Sequence, residues 1–223
     1  MAELLRIAVL ASGRGSNLRA LLGARSRGEL PIDVVGVFSD RPGCPALVLA
    51  REAGIPAFAQ RPADFASRGQ YDESMFSRIE AVQPDLIVCA GYMRLISNAA
   101  VSRFNGKLIN IHPSLLPKYP GLHTHARALA AGDREHGASV HCVIAELDAG
   151  AVIAQVRIPV LAGDGPESLS NRLLEREHQL LVQTVKAIAD GELDLSGNQP
   201  CWHGMPISTP LWSGPNGHLE EHR

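Results

Sequence analysis

The chain has little surplus charge, few cysteines and no long apolar run. Lys and Arg number 21 against 23 Asp and Glu, a formal net charge of −2. Phosphate-backbone binding draws on a basic surplus, and no local Lys/Arg cluster supplies one, so nucleic acid is not expected as a partner. The four cysteines, Cys44, Cys89, Cys142 and Cys201, include no CxxC pair. Two fall in apolar runs, and the set reads as reduced and structural, which suits a cytoplasmic protein. No stretch approaches the roughly twenty apolar residues of a membrane span, so no membrane partner is expected. The opening MAELLRIAVLASG resembles a signal peptide only superficially. Its apolar run is about seven residues long and leads into Gly-rich polar sequence, as a buried first strand would. There is no internal repeat.

What is present fits one sizeable α/β domain of ordinary soluble composition: 223 residues, 45% hydrophobic and 20% charged. Leu5–Ala11, Ile32–Ser39, Asp85–Ala90 and Lys107–His112 are short apolar runs that read as buried strands. A shorter one lies within Gly54–Phe58. Helices are expected from Ser16, with Leu18, Leu21 and Leu22 on one face, and over Ala46–Ala53 and Tyr71–Val82. Strands alternating with helices imply a mostly parallel twisted sheet with helices on both faces. Ser139–Ala145 and Ala151–Ile158, joined by a short polar loop, read as an antiparallel pair at the sheet edge. A long helix is expected over Pro166–Ala189, with Pro near its start and Gly191 past its end. Residues 1–195 read as one domain. Residues 196–223, rich in Gly, Pro and Ser with Trp202 and Trp212, read as a tail that lies on the domain or is disordered.

In open α/β sheets ligands bind at the carboxyl ends of the strands. Three loops fall there: Gly13–Asn17, Gly91–Ile96 and the stretch after His112. Gly13-Arg-Gly-Ser-Asn allows close backbone approach and precedes a helix, whose amides and dipole welcome a phosphate. It is not a dinucleotide fingerprint, because Leu18 stands where the last glycine would be, nor a Walker loop. It could equally be a plain turn with Ser as N-cap. Gly91–Ile96 could line a slot for a flat ligand or plug its own core.

The stretch NIHPSLLPKYPGLHTH, residues 110–125, is too broken by Pro and Gly for one regular element. Asn110 and His112 alternate on a strand and so share a face. A metal site would recruit His112, His123, His125 and His136 or His141, but the spacing matches no zinc pattern, and no metal is expected. Ser114 lacks a GxSxG elbow and is a poor nucleophile. Asp148, in the ELDAG loop, is placed to raise the pKa of His112 and fix its tautomer. Asn, His and Asp without a nucleophile suit oxyanion stabilisation in direct acyl transfer. On the long helix, Glu177 interrupts a stripe of Leu173, Leu174, Leu181 and Ile188. Burying a carboxylate demands a partner, within the protein or on a ligand.

Taken together, SGRGSN, AGYMRLIS, NIHPSLLPKYPGLHTH, GASVH, ELDAG and EREHQ resemble the glycinamide ribonucleotide formyltransferase family, folate-dependent enzymes of purine synthesis with a Rossmann-like sheet. The resemblance runs over roughly residues 5–190. It implies 10-formyltetrahydrofolate as co-substrate, no metal, and a monomer or homodimer. It implies that Gly15, Ser16 and Asn17 hold the 5′-phosphate of the ribonucleotide and that Glu177 binds its ribose. Arg68, Met93, Arg94, Leu95 and Ile96 would contact the folate. The loop with Ile144, Leu147 and Asp148 would bind its pterin, and Asn110 would also contact the folate. Asn110, protonated His112 and Asp148 would be catalytic. Arg14, in the middle of the glycine loop, stands where the family varies; it would either add charge near the phosphate or point to solvent.

Within the wider 10-formyltetrahydrofolate superfamily, the tRNA enzymes carry an extra basic C-terminal domain and the hydrolases an N-terminal regulatory domain. Neither is expected here, where the first strand starts at Leu5. Sugar formyltransferases do not need the GSN loop in this form. A nucleotide-binding oxidoreductase, with Asp40 as ribose-binding acid, lacks its third glycine. A purely ligand-binding protein would not need His112 beside Asn110.

Overall fold

A computed structural model describes residues 3–197, 199–214 and 217–221. The chain forms two compact units, one through Asn110 and one from Ile111 onward.

The first unit alternates strand and helix. In order it has β1 (Leu5–Leu10), α1 (Ser16–Ser26), β2 (Ile32–Ser39), α2 (Pro45–Glu52), β3 (Ala57–Ala59), α3 (Arg68–Ala81), β4 (Leu86–Cys89) and α4 (Asn98–Arg103). It ends within β5 (Leu108–His112), the strand on which the two units divide. The strands lie in the order β5-β4-β1-β2-β3, all parallel. β1 is the innermost: Ile7, Ala8, Val9, Leu10 and Ala11 are wholly inaccessible. That is why they form an unbroken apolar run rather than an alternating one. The chain runs outward from β1 through β2 to β3, then returns to β4 on the other side. Order therefore reverses beside β1, and the loops after β1 and β4 flank the crevice that such a reversal opens.

The second unit contains α5 (Thr124–Ala130), β6 (Glu135–Cys142), β7 (Val152–Pro159), α6 (Pro166–Ala189), β8 (Leu193–Asp194), β9 (Cys201–Trp202), β10 (Met205–Pro206), β11 (Leu211–Ser213) and β12 (Leu219–Glu220). β6 and β7 pair antiparallel, with a register shift between Val140 and His141. The tail adds to them: β11 pairs parallel with β7, and β12 antiparallel with β11. Trp212 is held there by the Arg157 guanidinium, 4.2 Å from its ring centre. β8, β9 and β10 make a separate small antiparallel sheet.

On α6 the buried residues are Leu169, Leu173, Leu180, Leu181, Gln183, Thr184, Val185 and Ala187. Leu174, Ile188 and Glu177 are half-buried. The buried face is thus rotated from the expected stripe towards Leu180 and Thr184, and Glu177 lies at its margin rather than inside it. Gly191 follows the helix with φ +75, as the left-handed turn after a helix favours. All four cysteines are free thiols. Burial pushes Cys89 up to about 12 and Cys142 up to about 11, so both stay protonated and inert at neutral pH.

Candidate active site

At the end of β1 the chain turns sharply. Gly15 takes φ +75 and is the N-cap of α1; Ser16, expected as the cap, is the first helical residue. A side chain at Gly15 would also meet Cα and Cβ of Ala46 at 2.9 Å, so glycine is demanded twice, by conformation and by the approach of α2. No side chain caps α1. A glycine at the cap has no side-chain oxygen to offer the first amides of the helix. Asn17 is buried and Arg14 is exposed.

The loop after β4 is tied to the loop after β1. Ser12 Oγ donates to Asp40 Oδ1 at 2.6 Å and accepts from the Met93 amide at 3.0 Å. Arg68, at the start of α3, donates to the Ile96 carbonyl at 3.2 Å. Two of the expected folate contacts are thereby in direct contact with each other. Met93 and Leu95 are exposed, Ile96 is buried, and the Arg94 guanidinium stacks over the Tyr71 ring at 5.0 Å.

In the second unit, three groups converge on one carboxylate. Asp148 Oδ2 accepts the Gly121 amide at 2.8 Å and lies 3.5 Å from His112 Nδ1. Asp148 Oδ1 lies 3.6 Å from His141 Nε2. The other side of the His112 ring, Nε2, is 2.9 Å from the Tyr119 carbonyl. A carbonyl only accepts, so Nε2 carries the hydrogen and Nδ1 is the basic nitrogen facing Asp148. Asp148 is held at φ +50, a left-handed conformation that Asp tolerates better than most residues. Ile144 and Leu147 stand exposed in the same loop.

The charges settle in a way the sequence did not foretell. Burial lowers the pKa of His112 and outweighs both the Tyr119 carbonyl and Asp148, which favour the cation. Asp148 does push this pKa upward, as expected, but the ring is only 6% exposed and desolvation of the imidazolium outweighs it, so the net shift is downward. Burial opposes the charged form of Asp148, but the neighbouring His141 and His112 imidazoles and the Gly121 amide overcome it and hold the carboxylate below its usual range. At neutral pH the free protein has an ionised Asp148 beside a neutral His112.

Asn110 shares β5 with His112, two residues away, paired in register with Cys89. Glu177 lies on α6. Ser114 donates its hydroxyl to the Lys118 carbonyl at 2.6 Å, so it serves the turn and not chemistry. His125 Nδ1 and His136 Nε2 bond to each other at 2.9 Å. Among the described residues, no group of three His, Cys, Asp or Glu side chains is arranged to hold a metal ion. The sequence reading missed His141 as a partner of Asp148, and the two backbone groups at Tyr119 and Gly121. The motif GASVH contained the first; no side-chain pattern announces the other two.

The formyl transferase family pattern matches residues 5–185. This chain belongs to the formyl transferase family. It is 45% identical over 203 residues to the phosphoribosylglycinamide formyltransferase of Escherichia coli K12, covering 91% of this chain and 96% of the relative. The solved phosphoribosylglycinamide formyltransferase from Coxiella burnetii, in complex with CHES, is 43% identical with a TM-score of 0.88, over 92% of this chain and 97% of that one. A formyltetrahydrofolate deformylase from Burkholderia mallei is more distant, 29% identical with a TM-score of 0.79, over 89% and 70% of the two chains. The Rossmann-like, mostly parallel sheet is shared with these structures.

Proposed function

We propose that this chain transfers the formyl group of 10-formyltetrahydrofolate to the amine of phosphoribosylglycinamide, in purine biosynthesis. The observation that carries the reading is the Asn-x-His strand end with His112 set against Asp148, in a chain so close to formyltransferases of that name. The roles follow from the chemistry. Gly15, Ser16 and Asn17 hold the 5′-phosphate at the uncapped start of α1, and Glu177 accepts from the ribose hydroxyls. Arg68 and Met93–Ile96 hold the folate, together with Ile144, Leu147 and Asp148.

The amine attacks the formyl carbon. The adduct carries an oxyanion and a surplus proton on nitrogen. Neutral His112 takes that proton on Nδ1, between imidazole and carboxylate, and the cation so formed is stabilised by Asp148 and by the Tyr119 carbonyl. With the Asn110 amide it stabilises the oxyanion. Collapse breaks the bond to N10 of the folate, which leaves with the proton that His112 gives up, and the ring returns to its neutral form. No covalent formyl-enzyme forms and no metal takes part. The domain is residues 1–195 with 196–223 appended, and the protein is cytoplasmic, monomeric or dimeric. Among the described residues no helix is long and apolar enough to cross a membrane.

The test is spectrophotometric. Purified chain, glycinamide ribonucleotide and a 10-formyl folate are mixed, and deformylated folate is followed, with His112→Ala alongside. Turnover that requires the ribonucleotide and collapses in the variant supports the reading. Turnover without ribonucleotide replaces it with a hydrolase; no turnover from folded protein leaves a sugar formyltransferase or pure binding.

A further inference from the structure

Ser139 and Gln155 are polar residues in the middle of two apolar strands. They sit directly opposite each other in the β6–β7 register, 0% and 5% exposed. Burying them costs stability unless every polar atom is matched. The matching is complete at Ser139. Its hydroxyl donates to the Ser114 carbonyl at 2.7 Å and accepts from the Leu116 amide at 3.1 Å and from Gln155 Nε2 at 2.9 Å. One donor and two acceptor positions are all a hydroxyl has. Gln155 Nε2 uses its second hydrogen on the Leu116 carbonyl at 2.9 Å. That bond also fixes the orientation of the amide, since its oxygen could not face a carbonyl.

All four bonds are made to or for one turn, residues 114–119. Within it Ser114 Oγ bonds the Lys118 carbonyl at 2.6 Å, and Lys118 N bonds the Leu115 carbonyl at 3.0 Å. The turn ends at Tyr119, held at φ +57, which a bulky residue adopts only where its surroundings impose it. The product of that constraint is the direction of the Tyr119 carbonyl, the acceptor for His112 Nε2 at 2.9 Å. A hydrophobic pair opposite each other would pack two strands as well; it would not hold this turn.

We propose that Gln155, acting through Ser139 and the 114–119 turn, is a positioning residue that fixes the tautomer of His112 and leaves Nδ1 as its basic nitrogen. Neither residue is among those proposed above to hold a substrate. The effect on rate rests on the formyl-transfer reading above; the effect on the tautomer does not.

The experiment is 15N NMR of the histidine rings at neutral pH, with steady-state kinetics, on the full chain as wild type, Gln155→Met and Ser139→Ala. Gln155→Met keeps length and removes the donors; Ser139→Ala removes one atom and serves if the first variant fails to fold. The wild type should show His112 with hydrogen on Nε2. Folded variants should show a shift towards hydrogen on Nδ1, and kcat lower by roughly tenfold to a hundredfold with the ribonucleotide KM little changed. A merely structural role would lower the melting temperature and leave the tautomer alone. Folded variants with an unaltered His112 signal overturn the proposal whatever their activity. An altered signal with wild-type turnover keeps the tautomer assignment and removes its link to catalysis.

Discussion

A neutral His112 beside an ionised Asp148 makes a prediction about pH. The pKa of His112 lies below the ordinary 6.5, chiefly through burial. If the reaction begins from the neutral ring, kcat/KM should be flat at neutral pH and fall as pH drops through a value below 6.5. Asp148→Asn removes the charge that favours the imidazolium, so the acid limb should move lower still while kcat falls on the order of a hundredfold. A pH–rate profile of both proteins reads this; a wild-type rate that holds as pH falls and is lost instead on the alkaline side of the histidine pKa would mean that the cation is the starting form. Gly15 offers a prediction of a different kind. Gly15→Ala puts a methyl 2.9 Å from Ala46 and forces a side chain into φ +75. It should destabilise the chain by on the order of 1–3 kcal/mol and raise KM for the ribonucleotide more than it lowers kcat. Chemical denaturation and steady-state kinetics on the same preparation separate the two effects.

Elements were legible in the sequence in proportion to their length and periodicity. Ile32–Ser39 and Pro166–Ala189 have the bounds that their patterns predict, because an unbroken apolar run and a six-turn amphipathic face leave little choice. Thr124–Ala130 went unread: its N-cap is His123 at φ +59, with no capping side chain to announce it. The tail strands are two or three residues long, too short for alternation to register. The site divides the same way. Asn110, His112 and Asp148 declare their chemistry as side chains, whereas the Tyr119 carbonyl and the Gly121 amide could belong to any residue type. The tail nevertheless has a task. Leu211 is 2% exposed and pairs with Ala154, and Trp212 pairs with Gln155. Leu211→Ala should cost about 2–3 kcal/mol. Deleting residues 208–223 should also leave β7 with an unpaired edge, and so promote association. Denaturant titration and light scattering give the two readouts; a truncated chain as stable and as monodisperse as the full one would mean that the tail merely rests there.

For the whole chain, acid should act in two stages, and the histidines come first. His136 is 1% exposed, and burial together with the neighbouring His125 brings its pKa down to about 4; His125 is lowered as well, again first by burial. A depressed histidine pKa means that the unfolded chain binds the proton more readily, so stability is full above 6.5 and declines as pH falls towards the folded value. From 6.5 to about 4 at His136 the linked loss is on the order of 3 kcal/mol. Below that, Asp148 and Asp133 take over. Their carboxyls lie under the usual 3.8, Asp133 through Tyr119 and Lys118, and their share of stability is lost only as those lower values are crossed. Urea midpoints should therefore fall steadily from pH 6.5 to 4 in the wild type and flatten over that window in His136→Asn, with the steeper loss below pH 4 retained. Equal slopes for the two proteins between 6.5 and 4 would show that His136 takes its proton in the folded chain as readily as in the unfolded one, through a partner or because the fold admits water to it. Either result would remove the buried pair from the account of acid stability.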